Sequence, residues 1–171
     1  MSMSRTVQDA LNQQINAELG ASYEYLAMSA WCSSQNLLGS AKWLRLQSQE
    51  EYGHAMKLFD FVLARGGDVA LKEMPAPMQK FSTLHNIFDR VLKQEQSVSQ
   101  QIDALYELAF REKVFAAMAE LQWFITEQVE EEKTVREIVA KFHMVKHDSA
   151  ALLDLDRELG GRGSAETGTP A

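Results

Sequence analysis

Cysteine is almost missing from the 171-residue chain: Cys32 stands alone. A single thiol forms no internal disulfide, and it excludes zinc-ribbon and rubredoxin-like modules, which need paired cysteines. It also fits a reducing compartment. Helix breakers are scarce. Proline occurs only at 75, 77 and 170, and glycine is absent from 68 through 159. Two long breaker-free stretches result, separated by Met74-Pro75-Ala76-Pro77, which argues against an all-β fold and for long helices. No apolar run approaches the ~18 residues of a membrane span, and residues 1–8 lack the apolar stretch of a signal peptide. A cytoplasmic protein with no membrane partner is the expectation. Positive charge is also in deficit. Lys+Arg 17 against Asp+Glu 24 leaves −7, a poor balance for nucleic acid and a better one for cations.

What is present suits one soluble domain. Hydrophobic residues make up 46% and charged residues 24%, enough to bury a core without disulfides. Hydrophobic periodicity predicts five helices. The first spans about 6–34, with Leu11, Ile15, Ser22, Tyr25 and Ser29 on one stripe. The second spans 39–65, with Leu44, Gln47, Leu58 and Phe61 on one face, and Gly66-Gly67 ends it. Residues 68–82 form a long connection. The third helix starts near Ser82, a suitable N-cap, and runs to the break at Arg111-Glu112-Lys113. Its stripe carries Leu84, Phe88, Val91, Val98, Ile102, Leu105 and Ala109. The fourth covers 114–146, with Leu121, Phe124, Val135, Ile138 and Phe142. A short fifth helix covers 150–159. Residues 160–171 are small and polar and are expected to be a disordered tail. Short, long and short connections describe an all-α four-helix bundle with one crossover over 1–159.

Polar residues interrupt each apolar stripe: Glu18 on the first helix, Glu51 and His54 on the second, Glu95 on the third, Gln128 and Glu131 on the fourth. Buried carboxylates cost several kcal/mol each, so these must be protonated, paired or metal-bound. No Lys or Arg shares their level. Glu18 and Glu95 lie ~18 Å into their helices, and Glu51 and Glu131 ~22 Å from the same end, at 1.5 Å per residue. The four acids thus converge on one mid-bundle layer, with His54 at i+3 from Glu51. Four carboxylates balance two divalent cations. Imidazole with many carboxylates suits Fe or Mn better than Cu(I) or structural Zn. Beside them, Glu127, Glu130 and Glu131 share a helix flank, with Glu50 on the same side. That group reads either as a solvated acidic patch or as a third metal position.

Over roughly residues 5–159 the chain resembles the bacterial non-haem ferritins. The matching segments are Asn16-Ala17-Glu18-Leu19 with Tyr25, Gln49-Glu50-Glu51-Tyr52-Gly53-His54, Glu95-Gln96, and Gln122-Trp123 followed by Glu127 through Lys133. The resemblance implies a ferritin-like bundle in a homo-oligomeric shell of 24 subunits. It implies a ferroxidase that oxidises Fe(II) with O2 or H2O2 at a di-iron centre and stores ferric mineral. One iron would be held by Glu18, Glu51 and His54, the other by Glu51, Glu95 and Glu131, with Glu51 bridging. Gln128 would hydrogen-bond in the site. A third iron would take Glu50, Glu127 and Glu130, with Glu131 as a further candidate. Tyr25 and Trp123 would stand beside the centre, either able to supply an electron, although core packing is the plainer role for Trp123.

Relatives separate on single residues. Bacterioferritins carry Glu-x-x-His on the fourth helix, where this chain has Gln128 and Glu131. Their haem-ligating Met is Tyr52 here, so no haem is expected. Animal heavy chains lack a carboxylate at the Glu131 position, and light chains lack the ligands. Two alternatives stay open: a carrier shell without fast oxidation, and a non-storage di-iron or di-manganese oxidase. His85, His143 and His147 are expected at the surface or at helix ends. Gly20 and Gly53 are expected at close-packing positions, with subunit contacts as a further reading.

Overall fold

The computed structural model describes residues 3–163, in five helices and no strand: α1 (Arg5–Ser34), α2 (Leu38–Ala64), α3 (Leu84–Arg111), α4 (Phe115–Met144) and α5 (Ser149–Gly160). Turns at 35–37 and 112–114 make α1–α2 and α3–α4 antiparallel hairpins, and residues 65–83 cross between them. Ser4 caps α1 by accepting from the Val7 N–H. Thr83, not the expected Ser82, caps α3 through the Asn86 N–H. Thr83 has the extended backbone (φ −149°, ψ 160°) that aims its hydroxyl back at the first turn. Gly66 takes φ +70° just past α2, the left-handed position that glycine reaches without a Cβ penalty.

The crossover is strapped to α1 by two asparagines. Asn12 donates to the Asp68 carbonyl (2.9 Å) and accepts from the Ala70 N–H (2.8 Å). Asn16 does the same with Ala70 and Lys72, at 2.8 and 2.7 Å. Helix α5 packs mainly on α2. No side chain at the start of α2 caps it; the buried Asp156 carboxylate of α5 does so instead. It accepts from the N–H groups of Gly39 (3.0 Å) and Ser40 (2.7 Å) and from the Ser40 hydroxyl (2.7 Å). The close approach is at Gly39, where a Cβ would stand 1.7 Å from the Asp156 carbonyl oxygen. Gly20 and Gly53, expected at close-packing positions, have open space within the chain where a Cβ would sit.

The apolar core comes in two halves. One gathers Val7, Leu11, Ile15, Leu58, Val62, Val98, Ile102, Leu105, Leu121 and Phe124. The other gathers Tyr25, Met28, Cys32, Trp43, Leu44, Ile87, Phe88, Val91, Val135 and Phe142. Each long helix contributes to both, and between the two contributions lies a polar segment: 18 on α1, 51 and 54 on α2, 95 on α3, 128 and 131 on α4. The sequence stripes are thus inward faces. Burial pushes the Cys32 thiol up to about 12, so it stays a protonated core group.

Of the expected tail, 160–163 belong to the fold: Gly160 closes α5, and Arg162 folds back onto α2. The remainder, 164–171, lies outside the described residues. No helix among the described residues is long and apolar enough to cross a membrane.

Candidate metal centre

Glu18, Glu51, His54, Glu95, Gln128 and Glu131 are all buried, the four carboxylates at 0, 1, 1 and 7% exposure. The ligand atoms of Glu18, Glu51 and His54 lie within 4.8 Å of one another, and His54 Nδ1 is 3.4 Å from Glu51 Oε2. Glu95 and Glu131 are tied to this trio through amides and a phenol. Gln47 Nε2 donates to both Glu51 Oε1 (3.3 Å) and Glu131 Oε2 (3.0 Å). Gln128 Nε2 donates to Glu95 Oε2 (3.3 Å) and to the Glu95 carbonyl (3.2 Å). The Tyr25 hydroxyl donates to Glu95 Oε1, and Gln14 Nε2 donates to Glu18 Oε1 (2.8 Å).

These donors are neutral, and among the described residues no Lys or Arg pairs with the four acids. Two oxygens, Glu18 Oε2 and Glu51 Oε2, are buried with no hydrogen-bond partner. Glu51 Oε2 has His54 Nδ1 nearby, at 3.4 Å, and acceptors without a hydrogen-bond donor in a low-dielectric interior are costly. Both belong to the trio that converges with His54. A cation there satisfies both oxygens at once, and the oxygen-rich donor set suits hard or borderline divalent ions.

The electrostatics agree. Burial, then the Glu51 charge, holds the Glu18 carboxyl well above its ordinary range. Burial, then the Glu95 charge, does the same for Glu51. Burial raises Glu95, partly offset by the bonds from Tyr25 and Gln128. Glu131 is held at about 7 by burial, with the Glu95 and Glu50 charges adding to it. Burial and the neighbouring carboxylates raise Tyr25 as well, so it stays a neutral phenol and a donor. Metal-free, the layer holds protons that a bound cation displaces.

The second acidic group is looser. Glu50 is ion-paired with Arg162 (2.6 Å). Glu130 is exposed and 3.7 Å from Lys133, and Glu127 is half-buried. Among the described residues these three form no metal-sized cluster like the first. Trp123 is not the core residue expected: it is 40% exposed. Its ring stands edge-on to His54 at 5.3 Å between centroids, with Lys57 over its face. His85 and His143 sit near the ends of α3 and α4, bonded to the Phe142 carbonyl and to Asp89; His147 is exposed.

Sequence reasoning placed Gln47 on the inward face without a role, and missed Gln14 and Arg162. Gln14 and Gln47 each stand four residues before a site glutamate, Glu18 and Glu51, the i,i+4 spacing at which side chains meet on a helix. That repeated Gln-x-x-x-Glu was the available signal. Arg162 reaches Gln47 and Glu50 from over a hundred residues away, and no local pattern announces it.

A family profile described as a Ferritin-like domain matches residues 8–145. A bacterial non-heme ferritin of Escherichia coli O6:H1 is 34% identical over 151 residues, covering 88% of this chain and 92% of that one. A bacterial non-heme ferritin of Bacteroides fragilis is 36% identical over 160 residues, covering 94% and 99%. The open pore ferritin of the hyperthermophilic archaeon Archaeoglobus fulgidus superposes with a TM-score of 0.94 at 43% identity, covering 95% of this chain and 100% of that one.

Proposed function

The chain belongs to the ferritin-like family, and from that premise we propose that it is an iron-storage ferritin with ferroxidase activity. The observation that carries the proposal is the pair of partnerless buried oxygens on Glu18 and Glu51 beside His54. Two Fe(II) are the substrates. Glu18 and His54 hold one, Glu95 and Glu131 the other, and Glu51 bridges them. Each Fe(II) gives up one electron, and a single O2 accepts both, reaching the oxidation level of H2O2; with H2O2 as acceptor the product is water. Paired binding delivers both electrons in one encounter.

The side chains around the irons do the remaining work. The raised carboxyls release their protons as the cations enter. Gln14, Gln47 and Gln128 hold carboxylate oxygens in place through neutral hydrogen bonds, which adds no competing charge. Tyr25 fixes Glu95 through its hydroxyl, and where O2 is reduced past H2O2 toward water it stands in line to supply one electron with its phenolic proton. Glu50, Glu127 and Glu130 would offer a third iron position on the α2–α4 flank once Glu50 is released from Arg162. The oxidised iron is stored as ferric mineral in a shell of 24 such chains. Exposed apolar side chains, among them Tyr23, Leu26, Leu71 and Met78, support burial against neighbouring subunits. A reducing cytoplasm, where Fe(II) persists, is the setting this function implies.

Anaerobic loading with two Fe(II) per chain, followed by air, tests the proposal. Rapid appearance of di-ferric absorbance that saturates at two irons per chain is expected. Oxidation no faster than in buffer would leave a carrier shell, and full activity in Glu95→Ala would remove the dinuclear centre. Size-exclusion chromatography tests storage: a monomer or dimer excludes the shell.

A further inference from the structure

Arg162 follows α5, yet its guanidinium reaches the edge of the polar layer. It lies over the Trp43 ring, 4.8 Å from the centroid. Nη2 donates to Glu50 Oε2 (2.6 Å) and Nη1 to Gln47 Oε1 (2.9 Å). The segment that carries it is fixed at both ends of its packing against α2. Lys42 Nζ donates to the Gly160 carbonyl (2.9 Å), and Asp156 caps the helix.

The contact to Gln47 has a directional consequence. A guanidinium only donates, so the amide group beside it must present its oxygen. The amide NH2 then has to face the other way, toward Glu51 Oε1 and Glu131 Oε2, where it is found. Glu51 and Glu131 sit on different helices, and among the described residues Gln47 is the one side chain donating to both. Without Arg162 the amide is free to turn its oxygen toward two carboxylates, the repulsive orientation. The ion pair with Glu50 holds the guanidinium fork in register for this, and planar two-point recognition is a property that Lys does not share.

We propose that Arg162 is a positioning residue of the dinuclear centre, fixing the Gln47 amide so that Glu51 and Glu131 are held ready for two cations. This rests on the reading of the layer as a dinuclear metal site. It adds a control exerted from beyond the bundle by the segment after α5.

The test is an anaerobic Co(II) titration of the intact assembled protein, followed by calorimetry and by the visible d–d bands of the bound ion. Wild type should take up two Co(II) per chain. Arg162→Ala should lower the affinity about 10-fold, the usual effect of losing an outer partner of a metal ligand, and should change the d–d spectrum. Gln47→Met should produce a similar loss, and adding Arg162→Ala to it should cost less than about twofold more, because the two act as one unit. Arg162→Lys should stay near the alanine value. Wild-type affinity in Arg162→Ala overturns the proposal. So does an undiminished loss in the Gln47→Met background, or full recovery with lysine, which would assign the effect to charge at Glu50 alone. Should the alanine variant lose its helical circular dichroism, Arg162→Met carries the same comparison, keeping an unbranched apolar side chain near Trp43 with no donor for Gln47. Failure of the wild type to bind two Co(II) removes the dinuclear reading itself, a result separable from the variants' behaviour.

Discussion

Glu131→Gln should make the metal-free protein more stable at neutral and alkaline pH while crippling its metal binding. The carboxyl is 7% exposed and held at about 7 against an ordinary 4.5. At 1.36 kcal/mol per tenfold change in proton affinity, ionising it inside the fold costs about 3 kcal/mol. The sign follows from which state holds the proton. Below pH 4.5 both folded and unfolded chains are protonated, and nothing is lost. Between 4.5 and 7 the unfolded chain ionises first, so stability falls as pH rises, and the loss is complete above 7. Glutamine cannot ionise, and its amide oxygen can still accept from Gln47. It also removes a charge that faces Glu95 and Glu51.

After chelator treatment, the variant should therefore melt only about 2–3 °C above the wild type at pH 5 and about 6–12 °C above it at pH 8, taking 2–4 °C per kcal/mol for a chain of this size. Calorimetric melts at fixed protein concentration, in buffers from pH 5 to 8, measure this. Zn(II) should then reverse the order, raising the wild type through its complete site and the variant far less. A variant that melts at or below the wild type at pH 8 without metal refutes the reasoning. So does a gap that is the same at pH 5 and pH 8.

Tyr25→Phe removes a hydrogen bond that lowers the Glu95 proton affinity, so protons should compete better. Zn(II) affinity should drop about 10-fold near pH 6 and less at pH 8, by calorimetry. Trp123 touches the His54 ring, whereas Trp43 is packed in the far half of the core and Trp31 lies against it. Co(II) uptake should quench tryptophan fluorescence, and Trp123→Phe should abolish most of that quenching. Gly39→Ala would drive a methyl group into the Asp156 carbonyl, costing about 1–3 kcal/mol through displacement of α5. Faster proteolysis near α5, together with a weaker dinuclear metal affinity because Arg162 moves with α5, would report it.

The inward set was legible because helical periodicity is local. Glu18, Glu51, Glu95, Gln128 and Glu131 each fall in step with apolar neighbours one turn away, and an acid in that step keeps its proton or takes a cation. The expected helices differ from the observed ones by a residue or two at their ends, where caps decide. Thr83 rather than Ser82 caps α3, its extended backbone aiming the hydroxyl at the Asn86 N–H. Contacts set by the packing of α5 were not legible. Gly39 is a packing glycine because Asp156 arrives from the far end of the chain, while Gly20 and Gly53, with a similar sequence setting inside helices, face open space within the chain. Arg162 was hidden for the same reason.

The division of the core ties these contacts to function. A continuous apolar interior would have made a more stable bundle, since four buried acids each raise the cost of folding without metal. The two apolar halves make the layer tolerable: each long helix is anchored on both sides of its polar residue, so no carboxylate can swing out to water without moving a packed turn. Denied solvent, the acids keep their protons or take cations. Neutral glutamine donors then decide the orientation of the oxygens without supplying the charge that would satisfy them. A Lys or Arg at Gln14, Gln47 or Gln128 would stabilise the empty site by salt-bridging it and would thereby compete with metal. Arg162, which approaches the layer from beyond α5, bonds to Glu50 and to the amide oxygen of Gln47. Its charge is thus spent at the rim, while its geometry is relayed inward by a neutral group.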